Sequence, residues 1–227
     1  MTGWLSVALA AATGLLAALS GLVIPAVRYG PADEILAFPS AAKLSRLVAR
    51  HSLAWLLVAF LVAGAIVLTV ARIGASPKTA AIVVFLALLG CLAMIDLRSR
   101  ILPNALTLPG LWLGLLIQLH PDWATVGANQ AILGAVVGYL VPWALGVVFA
   151  MAGRGGSIGG GDLKLMAMIG AWLGPVPALL ALFVASLGSS AFYGAGLVLR
   201  IGRRRRQFPF GPWLAAAAGA LTLAGPL

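Results

Sequence analysis

TAAIVVFLALLGCLAMID, residues 79–96, decides the class of fold. From Thr79 to Ile95 it carries no charged side chain, and then it ends on an aspartate. About 20 such residues cross the hydrocarbon layer as a helix, the form that bonds its own backbone polar groups where no water can. The remainder is of the same kind: of 227 residues, 62% are hydrophobic and 9% are charged, with a mean hydropathy of +1.08. A soluble domain carries roughly 25% charged residues. Soluble classes are excluded, and the chain reads as an all-α polytopic membrane protein forming one transmembrane domain over residues 1–227.

Eight apolar segments can be marked on either side of this stretch. They run roughly over Gly3–Val27, Ser52–Ala71, Thr79–Ile95, Ala105–Leu119, Ala128–Met151, Leu165–Leu173, Val176–Leu199 and Pro212–Ala224. The first has no Lys or Arg ahead of it and exceeds a usual signal-peptide core, so it reads as a retained helix. The sixth and seventh could fuse into one kinked helix across Pro175 and Pro177, giving seven spans. Charge decides between the counts. With eight spans and the N-terminus outside, thirteen of the fifteen basic residues fall in cytoplasmic loops, leaving Arg72 and Lys78 outside. Basic residues are retained on the cytoplasmic side. The net charge of +10, including the run Arg203–Arg206, is therefore topogenic, and no nucleic-acid partner is expected.

Five acids are present: Asp33 and Glu34 in the long first loop, Asp122 in the polar HPDW turn, and Asp96 and Asp162. The first three need only solvation. Asp96 and Asp162 each stand where an apolar segment meets a cytoplasmic loop, and a carboxylate beside hydrocarbon usually marks a pair, a pathway or a site. An interfacial acid paired with Arg98 or Arg100, and an Asp162–Lys164 pair, are the plainer readings of each alone. Beyond Asp96, Pro103 holds Leu102 extended, and Asn104 or Thr107 can cap the next helix. Ahead of Asp162 stand Gly155, Gly156, Gly159, Gly160 and Gly161, which allow close backbone approach. No Gly-Lys-Ser or Gly-Lys-Thr follows, so this is not a P-loop.

Two carboxylates sharing one proton can hydrolyse a peptide without a metal or a covalent nucleophile. Like charges in contact cannot both ionise, so one acts as base and the other as acid. Rival chemistries are poorly supplied: His51 and His120 fall on opposite sides, and Cys91 is a lone cysteine inside an apolar run. No metal site is expected. Two further functions compete with hydrolysis. A small proton-coupled transporter could use the same acids as a relay, and a non-catalytic membrane scaffold could hold them in salt bridges.

DLRSRILPNALTLP (Asp96–Pro109) and GGGDLKLMAMIGAWLG (Gly159–Gly174) resemble the two signature regions of the type IV prepilin peptidases. Gly159, Gly161 and Asp162 form the GxGD pattern of intramembrane aspartic proteases, and FPFGP (Phe208–Pro212) resembles the start of that family's last helix. The likeness covers residues 85–220, the expected peptidase core. It implies an aspartic endopeptidase of the bacterial inner membrane that removes the leader of type IV prepilins or pseudopilins at the cytoplasmic face. By motif position Asp96 and Asp162 are the catalytic pair. Gly159, Gly161, Arg98, Arg100, Lys164 and Asn104 are candidates for substrate binding or for tuning the acids. The peptidase step requires no cofactor. Many members also N-methylate the product with S-adenosylmethionine. Longer members carry two CxxC pairs that resemble a zinc site where this chain has residues 28–50 without a cysteine, so no zinc is expected and methyl transfer is in question. The partners implied are the prepilin and the bilayer; oligomeric state is not legible.

Overall fold

The computed structural model describes residues 52–153, 158–199 and 209–225, less the side chains of 52–56, 59, 98, 99 and 197. The segment Gly3–Val27, the 28–50 loop, Gly155, Gly156 and the arginine run lie outside the described residues. The described residues form seven helices and no strand: α1 (Ser52–Ile73), α2 (Pro77–Ser99), α3 (Asn104–Ile117), α4 (Ala128–Met151), α5 (Gly160–Leu173), α6 (Pro175–Val198) and α7 (Gly211–Ala224). These follow the second to eighth apolar segments in order. The sixth and seventh are separate helices: Gly174 caps α5 with φ 81, and Pro175 opens α6. That φ is left-handed and suits glycine, while proline suits a helix start because its missing N–H would be unpaired there anyway.

Helix length divides the bundle. Among the described residues α2, α4 and α6 are long and apolar enough to cross a membrane, which makes the chain a membrane protein. The helices α3, α5 and α7 have 14 residues each. A helix of that length reaches about 21 Å, short of the roughly 30 Å hydrocarbon layer. The all-α class therefore holds, with helices of two lengths rather than a uniform set.

The helix α2 is central and mostly buried, whereas α4 and α6 expose most of their apolar surface. Phe85 of α2 stacks on Trp172 of α5 with ring centroids 5.0 Å apart, and the Trp172 indole N–H donates to the Gly110 carbonyl of α3 at 2.9 Å. Cys91 is buried within α2. Between α4 and α5, Gly134 lies directly on the Gly170 carbonyl and Gly138 on that of Met166. Each Cβ placed there would collide with backbone, so the GxxxG of α4 serves close helix approach. Ser186, Ser190 and Gly194 recur at four-residue intervals along α6, and the last two are exposed. The α3–α4 turn is closed by Gln118, whose Oε1 accepts the N–H groups of Thr125, Val126 and Gly127. Asp122 is exposed in that turn beside His120.

Candidate active site

Asp96 belongs to the last turn of α2 but is only 5% exposed. The helix ends beyond it because Arg100 turns left-handed (φ 55, ψ 30) and returns its N–H to the Asp96 carbonyl at 2.9 Å. Arg100 is the one non-glycine residue with positive φ among the described residues. The link that follows carries Leu102 back under the bundle onto Gly161, where a Cβ would lie 2.9 Å from the Leu102 Cβ. Gly161 thus lets the segment after α2 touch the segment that opens α5. Asp162 stands in the first turn of α5, with Gly159 at the cap position.

Both carboxylates line one cavity of about 690 Å³. Its apolar wall comes from Pro142, Leu145 and Phe149 of α4 and Leu182 of α6, and its rim from Arg100 and the glycines 159–161. The Asp96 Oδ2 accepts the Gly211 N–H at 2.9 Å, from the start of α7. Gly211 is itself required by contact, since a Cβ there would lie 2.8 Å from the same oxygen. Asp162 lies outside the three helices of spanning length. Burial, and after it the charge of Asp96, pushes its carboxyl from the ordinary 3.8 up to about 6. A Cβ on Gly159 would lie 3.2 Å from its Oδ2.

The other candidates separate. Lys164 donates to the Asn104 side-chain oxygen at 2.7 Å, tying the first turn of α5 to the first turn of α3. Lys164 therefore pairs with Asn104 and not with Asp162. Asn104 does not cap α3 either: Pro103 occupies the cap position, and the Thr107 hydroxyl donates to the Pro103 carbonyl at 3.2 Å. Arg100 reaches the cavity, and the side chain of Arg98 is outside the described residues. Gly211 was the residue that sequence reading left out. Its FPFGP context stood out, but a bond across 115 positions has no local signature.

The Lys164–Asn104 bridge carries a prediction. Lys164→Met and Asn104→Leu are each expected to lower activity about 3–10-fold, and the double variant no more than either, a coupling of about 1 kcal/mol for an exposed charged hydrogen bond. Additive losses would show that the two side chains act separately.

A helical membrane bundle whose cavity gathers two aspartates from two motifs defines the class. Residues 83–195 match the model of the type IV leader peptidase family. Over this core the chain carries that family's signature. Curated relatives named prepilin leader peptidase/N-methyltransferase include the Aeromonas hydrophila protein, 42% identical over 135 residues (59% of this chain, 46% of the relative). The Burkholderia pseudomallei protein (strain 1026b) is 39% identical over 180 residues, 77% of this chain and 54% of its own length. The Neisseria gonorrhoeae protein is 39% identical over 134 residues, covering 59% and 42%. The chain spans about half the length of the curated relatives it matches. No solved structure matches it.

Proposed function

We propose that this chain is an aspartic endopeptidase that removes the leader of a type IV prepilin or pseudopilin, with Asp96 and Asp162 as the catalytic pair. The observation that carries the reading is the common cavity of the two acids, reached from α2 and α5 by the two signature stretches. It is supported by the family match over the same residues. In this reading the chain lies in the bacterial inner membrane with about eight spans, an outside N-terminus and the acids at the cytoplasmic face. The pair and one water supply both proton transfers, so the peptidase step invokes no cofactor. Methyl transfer is not part of the proposal, because residues 28–50 hold no cysteine.

The cavity's shape suits this work. The starts of the short helices α5 and α7 meet at the acids, while α4 and α6 wall the cavity with apolar side chains and expose further apolar surface around it. A substrate that is half membrane helix and half soluble leader presents its junction at such a boundary.

The test is cleavage of a purified prepilin by the chain in vesicles, with the new N-terminus sequenced and proton flux followed in parallel. One cut at the leader boundary without proton flux is expected. Proton flux without cleavage would favour the relay reading. A pH dependence follows from Asp162. Its carboxyl titrates at about 6, so the protonated form that donates to the carbonyl is present below that value and lost above it. Above about pH 6, kcat/KM is expected to fall approaching tenfold per pH unit, as for any essential acid. A rate that climbs steadily from pH 6 to 9 would contradict that role.

A further inference from the structure

We propose that the two aspartates divide the work unequally: Asp96 is the partner that functions ionised, and Gly211 is the positioning residue that holds it so. This rests on the peptidase reading above and adds the assignment of roles within the pair.

The asymmetry is in the hydrogen bonding. The Asp96 Oδ2 accepts the Gly211 N–H at 2.9 Å, at the first residue of α7. An N–H bonds an ionised carboxylate about twice as strongly as a neutral acceptor, and a helix N-terminus favours negative charge. The carboxyl is also pressed onto the glycine. A Cβ at Gly211 would lie 2.8, 3.0 and 3.1 Å from Oδ2, Cγ and Cβ of Asp96. Among the described residues no donor is placed on the Asp162 carboxylate, whose Oδ2 lies over Gly159 instead. Of the charged groups around Asp96, Arg100 favours its ionised form, and Asp162 is the like charge that allows only one of the two acids to ionise. Arg100 at the end of α2 and Asp162 on α5 line the cavity with it, while α4 and α6 contribute Pro142, Leu145, Phe149, Leu182 and Ser186, none of them charged. The Ser186 hydroxyl is committed to the Leu182 carbonyl at 2.7 Å.

The division gives a balanced reaction. As the water oxygen bonds to the scissile carbonyl carbon, the Oδ1 of Asp96 takes the water's proton. The carbonyl oxygen receives the π pair and the proton of Asp162, leaving a gem-diol. One diol hydroxyl then returns a proton to Asp162 as the C–N bond breaks, and the departing nitrogen takes the proton from Asp96. The pair ends as it began, with one water consumed.

The test locates protons without requiring turnover. The protonated-carboxyl infrared band is recorded at pH 5 in Asp96→Asn, Asp162→Asn and the double variant Asp162→Asn/Gly211→Ala; losing the Asp96 charge lowers the Asp162 value, but burial, the larger cause of its rise, remains. Asp33, Glu34 and Asp122 are common to all three and cancel. A band in Asp96→Asn, none in Asp162→Asn, and its return when Gly211→Ala is added are expected. The proposal fails if the band is as strong in Asp162→Asn as in Asp96→Asn, a comparison that needs no glycine variant. Kinetics give a second readout: Gly211→Ala should lower kcat about tenfold or more with KM within about twofold. Gly219→Ala on the same helix, whose Cβ would make an ordinary 3.7 Å contact with Leu86, should match wild type. A KM rise alone in Gly211→Ala would overturn the positioning role. If wild type cleaves no prepilin, the peptidase reading fails, and the infrared bands still decide the asymmetry.

Discussion

Asp96→Asn and Asp162→Asn are each expected to lower prepilin cleavage by about 10³-fold or more, within the range for losing a positioned acid or base. Both changes keep side-chain shape. Asparagine at 96 can still accept the Gly211 N–H through its carbonyl oxygen but cannot take a proton from water. Asparagine at 162 carries no proton acidic enough for the carbonyl oxygen. Neither should unfold the protein, because an amide is cheaper than a carboxylate to bury. Melting temperatures in detergent should stay near wild type while cleavage disappears. A variant that loses both together would report a structural role.

The largest expected effect on stability lies at the α4–α5 contact. Gly134 and Gly170 meet backbone to backbone, and a Cβ on either would overlap the other's carbonyl. A flexible side chain could move aside, but here both contacts are helix backbone, so relief requires the helices to separate. Overpacking of a tight core costs about 1–3 kcal/mol, sometimes more. For Gly170→Ala or Gly134→Ala the upper end applies, a fall of roughly 6–12 °C in melting temperature. Separating α4 from α5 also shifts Asp162 against the cavity wall, so activity should fall with stability. Gly64→Ala, where a Cβ would meet nothing within 4 Å among the described residues, is the matched control and should be neutral or slightly stabilising. A Gly170→Ala protein as stable as wild type would show that the contact is looser than described.

Much of this arrangement was legible in the residues. Unbroken apolar runs gave the helical membrane class, because lipid leaves few other ways to satisfy a backbone. Asp96 and Asp162 stood out because carboxylates are rare beside hydrocarbon. Pro175 and Pro177 stood between the sixth and seventh segments, and the placement of basic residues favoured the break that Gly174 and Pro175 make. Other features were hidden for physical reasons. Lys164 stands two positions from Asp162, yet its long side chain reaches Asn104 on another helix. Gly211 acts through a backbone N–H and through the absence of a Cβ, neither of which is a side-chain signal. Trp172, Gly170 and Gly174 carried the family likeness, and each proves to be a packing or capping position of α5.

The most direct test of the central claim is a double-mutant cycle on the pair. Single-turnover cleavage of a prepilin would be measured for wild type, Asp96→Asn, Asp162→Asn and the double variant in the same vesicles. Residues that act as one unit are strongly non-additive. The double variant should therefore be no slower than either single variant, with all three far below wild type. Losses that multiply, or either single variant cleaving at the wild-type rate, would contradict a shared catalytic pair.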